Sequence, residues 1–152
     1  MSRIRIYVQS LLIPLALGAV VGFVTMGSMD YDTLVKPPLS PPPILFPIAW
    51  SILYALMGLG YALIWDKTGE QREVNLIYYV QLGVNLLWPF AFFVLKWRLF
   101  AFIWLLLLDV LAAVMLAKFY KKYKLAGYLQ IPYMAWVLFA SYLNLGVYLL
   151  NK

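Results

Sequence analysis

The chain has 152 residues, 65% hydrophobic and 12% charged, with a mean hydropathy of +0.85; too little polar surface remains to coat a soluble globule, which predicts an integral membrane protein. The formal net charge of +6 would suit nucleic acid in a soluble protein, but most Lys and Arg fall at the ends of apolar runs, where lipid headgroups and topology account for them, so no nucleic-acid partner is expected. Cysteine and histidine are absent, which excludes thiolate and imidazole catalysis, disulfides and Cys/His metal or haem ligation, and no metal site is expected.

Five apolar segments, at about 6–28, 44–65, 74–95, 99–117 and 125–150, each approach the ~20 residues that cross a bilayer as a helix. Short polar separators divide them: DKTGEQRE at 66–73, KWR at 96–98 and KFYKKYK at 118–124. The expectation is an all-α, five-transmembrane-helix bundle forming a single domain over 1–152, with sequence neighbours packed antiparallel. Five spans put the termini on opposite faces. Arg3, Arg5, Lys67, Arg72, Lys118, Lys121, Lys122 and Lys124 then share the N-terminal face against Lys36, Lys96, Arg98 and Lys152 on the other. By the positive-inside rule the N-terminus is cytoplasmic and the first loop external.

Arg3 and Arg5 precede an apolar run reaching about Gly27, longer than a signal-peptide core, so this segment reads as a retained first span. Gly18 and Gly22 on it form a GxxxG, which serves either a contact inside the bundle or a homodimer seam. The loop 29–43, MDYDTLVKPPLSPPP, carries Pro37, Pro38, Pro41, Pro42 and Pro43 within seven positions. Such a segment is semi-rigid and cannot be helix, so it reads as a stiff lid over a covered site. Further prolines at 14, 47, 89 and 132 fall within the spans, where each either kinks its helix or reflects the ordinary abundance of proline in membrane helices.

The second span places Trp50, Tyr54, Met57 and Tyr61 at offsets 0, 4, 7 and 11, one helical stripe; the third matches it with Gln81, Asn85, Trp88 and Phe92. Amides in line with aromatic rings are unusual on a lipid-facing surface, and two such stripes point to a pocket. Asp109 lies mid-way along the fourth span, where an ionisable group must face the interior. It serves either a pocket or helix–helix packing. On the fifth span Trp136 beside small Ala140 leaves a slot next to a flat ring, with Tyr133 and Asn144 available for hydrogen bonds; a flat, largely apolar ligand suits it. Two matches to a loose sterol pattern, Leu145-Tyr148-Lys152 and Leu116-Tyr120-Lys122, show how little that pattern discriminates.

Taken together, YDTLVKPPLSPPP, FPIAWSILYALMG, QLGVNLLWPFAFF, Asp109 and PYMAWVLFASYLN, in that order, resemble the TspO/MBR family of tryptophan-rich sensory and translocator proteins over essentially the whole chain. The resemblance is to a bacterial-type member, which implies a bacterial cell membrane. It implies a five-helix bundle, often a homodimer, with an interior pocket under the first loop that binds porphyrins such as protoporphyrin IX and isoquinoline carboxamide or benzodiazepine-type ligands. Carried over, the pocket residues are Tyr31, Pro42, Trp50, Tyr54, Asn85, Trp88, Phe92, Asp109, Trp136 and Ala140. Sterol binding, known for animal members, transfers poorly because Leu143-Asn144 is followed by LGVYLLNK. Lys36 is the natural partner of a porphyrin propionate. No obligatory cofactor is implied; the porphyrin is ligand. Light-dependent porphyrin breakdown, with Trp50 and Trp136 as redox partners, and porphyrin transport are the alternatives to a receptor or carrier.

Overall fold

The computed structural model describes residues 2–152. The protein is an all-α integral membrane protein with five helical spans long and apolar enough to cross a bilayer. Helix α1 (Arg3–Thr25) begins earlier than its apolar run because Ser2 caps it, its Oγ accepting from the Arg5 N–H at 3.3 Å. Two single 3₁₀ turns, Met26–Ser28 and Tyr31–Thr33, lead into the proline loop. Helix α2 is Leu45–Thr68, closed by Gly69 at φ +80°, and α3 is Arg72–Pro89, continuing as a π turn over Phe90–Val94. Helix α4 spans Arg98–Lys122, and the fifth span divides into α5 (Lys124–Tyr128) and α6 (Ile131–Asn151).

Three sequence expectations are corrected. The basic stretch 118–124 is not a separator: α4 runs on through Lys122, because lysine is a good helix former and its charge complements a helix C-terminus. Lys118 and Lys122, four residues apart on one face, both reach Glu73, at 3.4 and 2.7 Å. Next, Pro47 interrupts nothing: it occupies the first turn of α2, where backbone N–H groups have no intrahelical acceptor to lose. Pro132 does mark a break, since it lies in the first turn of α6 just past the point where the fifth span divides, and has no N–H to offer the Tyr128 carbonyl. Pro14 does lie inside α1, and Pro89 ends the regular part of α3. Without an N–H, Pro89 leaves the Asn85 carbonyl without its usual donor, and the chain widens into the π turn.

The third correction concerns packing. Helix α1 packs on both α2 and α3, α4 on α3 and α6, and α2 closes the ring through α5 and α6. Although only three residues separate them, α2 and α3 do not pack backbone to backbone. Residue volume is the reason. Gly18 and Gly58 bring the α1 and α2 backbones together: a Cβ on Gly58 would overlap the Ser10 carbonyl, and one on Gly18 would lie 2.5 Å from the Tyr54 ring. Between α2 and α3, by contrast, stand whole aromatic rings, with Tyr61 stacked on Tyr78 at 4.3 Å. Gly18 is thus engaged within the chain, and Gly22 is the half of the GxxxG with open space beside it.

The termini of α1 and α2 meet at one end of the bundle, where Asp66 accepts from Arg3 Nε at 3.3 Å and the Tyr7 hydroxyl at 3.0 Å. The proline loop lies at the other end and is pinned at several points. The Asn151 amide bonds the Val35 backbone in both directions, at 3.0 and 2.7 Å, and the Tyr142 hydroxyl donates to the Pro38 carbonyl at 2.6 Å. Pro37 is buried against Gly146, whose missing side chain makes the room.

Candidate functional site

Beneath that loop lies a small cavity of about 30 Å³, lined by Phe46, Trp50, Asn85, Trp88, Leu105, Leu108, Trp136 and Ala140. Its lining is almost wholly apolar and aromatic. Trp50 and Trp136 meet edge to face, with ring centres 6.4 Å apart and planes at 88°. Phe46 sits edge-on to Trp136 at 5.9 Å and to Tyr31 at 5.1 Å, joining the loop to the cavity wall. The indole N–H of Trp136 is buried without a hydrogen-bond partner among the described residues, so a polar donor lies within an otherwise greasy wall.

Five of the sequence-derived candidates line this cavity together: Trp50, Asn85, Trp88, Trp136 and Ala140. The others are placed differently. Tyr54 stacks behind Trp50 at 5.5 Å, and its hydroxyl donates to Asn85 Oδ1 at 2.6 Å. Asn85 Nδ2 in turn donates to the Tyr133 hydroxyl at 2.8 Å, which donates to Gln81 Oε1 at 2.7 Å. The two stripes therefore meet across the interior through a hydrogen-bonded chain, which orients Asn85 at the floor of the cavity. Phe92 lies one layer out, stacked on Trp88 at 4.9 Å and beneath the Arg98 guanidinium at 5.0 Å.

Asn144 is an orienting residue. Its Oδ1 accepts from the Trp88 indole at 3.0 Å, and its Nδ2 donates to the Arg98 carbonyl at 2.8 Å. Arg98 extends this connection to the loop: Nη2 bonds both carboxylate oxygens of Asp30 at 2.8 and 2.7 Å, with Lys96 at 3.5 Å. Burial pushes the Asp30 carboxyl up, but the hydrogen bond and charge of Arg98, with Lys96, outweigh it and hold the group below the ordinary carboxylate value. Asp109 is buried; its Oδ2 accepts from Ser141 Oγ at 2.7 Å, while Oδ1 has no partner among the described residues.

Two loop residues expected to offer free polar groups are engaged with the loop itself. Lys36 Nζ donates to the Tyr31 and Leu34 carbonyls at 2.9 and 3.2 Å and lies 4.7 Å from the Tyr31 ring centre. The Tyr31 hydroxyl donates to the Pro41 carbonyl at 2.8 Å. These donors meet a loop in which five prolines leave acceptors in excess of N–H groups. Pro42 is exposed at the outer surface of the loop. Phe46 and the leucines 105 and 108 were not anticipated. Phe46 falls four residues before Trp50 and so continues its stripe, whereas nothing distinguishes Leu105 and Leu108 from lipid-facing leucines in the same run.

The fold and the site thus define an all-α membrane bundle of five spans with an aromatic-walled interior cavity under a pinned proline loop. The TspO/MBR family model matches residues 10–150. The tryptophan-rich protein TspO of Archaeoglobus fulgidus is 36% identical over 147 residues, covering 95% of each chain. That of Chlorobaculum tepidum is 37% identical over 127 residues, covering 82% of this chain and 80% of its own. The human translocator protein is 36% identical over 122 residues, covering 78% and 72%. The chain belongs to the TspO/MBR family.

Proposed function

We propose that the protein is a membrane receptor or carrier for porphyrins and related flat apolar ligands, bound between Trp50, Trp88 and Trp136 beneath the proline loop. The reading also places the N-terminus in the cytoplasm of a bacterial cell and the loop outside. One observation carries it: three indoles and Phe46 converge on one cavity whose far wall is Ala140, which presents flat rings for stacking beside a small residue. The cavity of about 30 Å³ holds a water or two, whereas small-molecule sites occupy ~300–1,000 Å³. Binding therefore requires opening. Phe46 and the loop are the parts whose displacement enlarges the site without breaking the interior Tyr54–Asn85–Tyr133–Gln81 chain.

The test is a fluorescence-quenching titration with protoporphyrin IX on the purified protein. Trp136→Ala is expected to weaken binding by ~1–3 kcal/mol, the value of one lost aromatic stacking partner. Unchanged affinity in a folded variant removes Trp136 from the site. A second reading, light-dependent porphyrin breakdown, is favoured by the Trp50–Trp136 contact at 6.4 Å, which sets two electron-rich indoles at the cavity. Trp50→Phe with Trp136→Phe should then abolish product formation under illumination while binding persists. Porphyrin movement across the bilayer is read separately, as flux into sealed vesicles.

A further inference from the structure

A second, larger cavity lies at the opposite end of the bundle, about 130 Å³ between α1, α2 and α3, with Gln9, Ser10, Tyr61, Trp65 and Tyr79 among its walls. It exists because α2 and α3 are held apart by their aromatic side chains while α1 closes only one side. Gln9 and Tyr79 are exposed on the bundle flank, so the cavity opens sideways, toward the bilayer. We propose that it seats an anionic phospholipid.

Depth, hydrogen bonding and charge support this occupant independently. Gln9 lies six residues beyond Arg3, or about 9 Å along the helix, which is the level of the glycerol esters when Arg3 lies among the phosphates. The Gln9 amide and the Trp65 indole N–H make no hydrogen bond to any described residue. At the interfacial depth of the glycerol esters, ester and phosphate oxygens are the acceptors a lipid brings to these donors. Ile6 and Ile13 complete the walls with apolar surface suited to the start of an acyl chain.

The rim supplies the charge. Arg3, Arg5, Lys67 and Arg72 cluster at this end, and among the described residues Arg5, Lys67 and Arg72 have no carboxylate within 4 Å. The nearby acids are engaged: Asp66 by Arg3 and Tyr7, Glu70 by the Asn75 amide, Glu73 by Lys118 and Lys122. The unpaired cations favour an anionic headgroup over a zwitterionic one.

Native mass spectrometry of the full chain with phosphatidylglycerol or phosphatidylcholine, and thermal unfolding in the same lipids, tests the proposal. Phosphatidylglycerol is expected to bind and stabilise preferentially. Arg5→Gln should lower its apparent affinity about fivefold, the value of one juxtamembrane basic residue, and Gln9→Leu by a similar factor. Both side chains are exposed, so unfolding in phosphatidylcholine should not change in either variant, and protoporphyrin titrations at the other end should also be unaltered. Phosphatidylglycerol with brominated acyl chains should quench a part of the emission that Trp65→Phe removes. Equal binding of the two lipids, or retention of the preference in both variants, overturns the proposal. Full displacement of phosphatidylglycerol by inorganic phosphate or glycerol phosphate also overturns it, by showing a soluble-anion site.

Discussion

The Asp30 carboxylate, held by Arg98 and more loosely by Lys96, ties the start of the first loop to the beginning of α4, and loss of the Asp30–Arg98 pair is predicted to loosen the loop and unseat Trp88 together. The Asp30 and Arg98 side chains are 22% and 14% exposed, so the pair lies between the surface regime, worth ~0–1 kcal/mol, and the buried one, where removing a partner costs ~3–5 kcal/mol. Two charge-assisted hydrogen bonds to Nη2 and a cation left partly desolvated place Asp30→Asn at about 2 kcal/mol. For a chain of this length that is about 4–8 °C in the unfolding midpoint. Because Arg98 holds Asn144, and Asn144 holds the Trp88 indole, the variant should also change tryptophan emission and speed porphyrin release. The Asp30 carboxyl lies below its ordinary value. Its contribution is therefore complete above the unfolded carboxylate pKa, about 3.9, and is lost as pH falls through the lower folded value. Thermal unfolding in detergent from pH 3 to 7, for wild type, Asp30→Asn, Arg98→Gln and the double variant, measures the coupling. A coupling near zero at pH 7, or an acid-induced loss of stability that persists undiminished in Asp30→Asn, would refute the reasoning.

Other perturbations separate the cavity from its supports. Ala140→Leu should fill the cavity and abolish protoporphyrin quenching while the unfolding midpoint stays close to wild type; equal affinity in that variant would place the ligand elsewhere. Tyr133→Phe strands the Asn85 N–H and the Gln81 carbonyl in the interior and should cost about 1–3 kcal/mol in chemical unfolding, a loss that a pure packing role for the ring would not produce. Gly58→Ala places a Cβ into the Ser10 carbonyl, a backbone group that cannot rotate away; overpacking of this kind costs ~1–3 kcal/mol, read as a lowered midpoint and faster exchange of α1 amides. Gly146→Ala presses on Pro37, with a Cβ 2.5 Å from its Cγ, and should raise the porphyrin off-rate with little change in the unfolding of the bundle. A residence time equal to wild type would mean that the loop does not retain the ligand.

The sequence alone determined the membrane class, the five spans and the two inward stripes, because each depends on a local quantity: the length of an apolar run, or the 3.6-residue period that sets Tyr54 and Asn85 in line with aromatic rings. The family pattern was legible for the same reason, being carried by short contiguous motifs. Which helix lies beside which was not. Helices α2 and α3 adjoin in sequence yet meet only through their side chains, since interhelical distance follows from the volumes that meet at a contact, glycine at 58 against tyrosine at 61 and 78. The loop shows the same limit. Its stiffness was written in five prolines, but the acceptors that capture Lys36 and Tyr31 appear only once the loop has folded back on itself. Long-range partners follow the same rule: Asp30 with Arg98, Asn144 with Trp88 and Ser141 with Asp109 join residues tens of positions apart, and only the packing of the bundle, through the registers at which its helices meet, decides them.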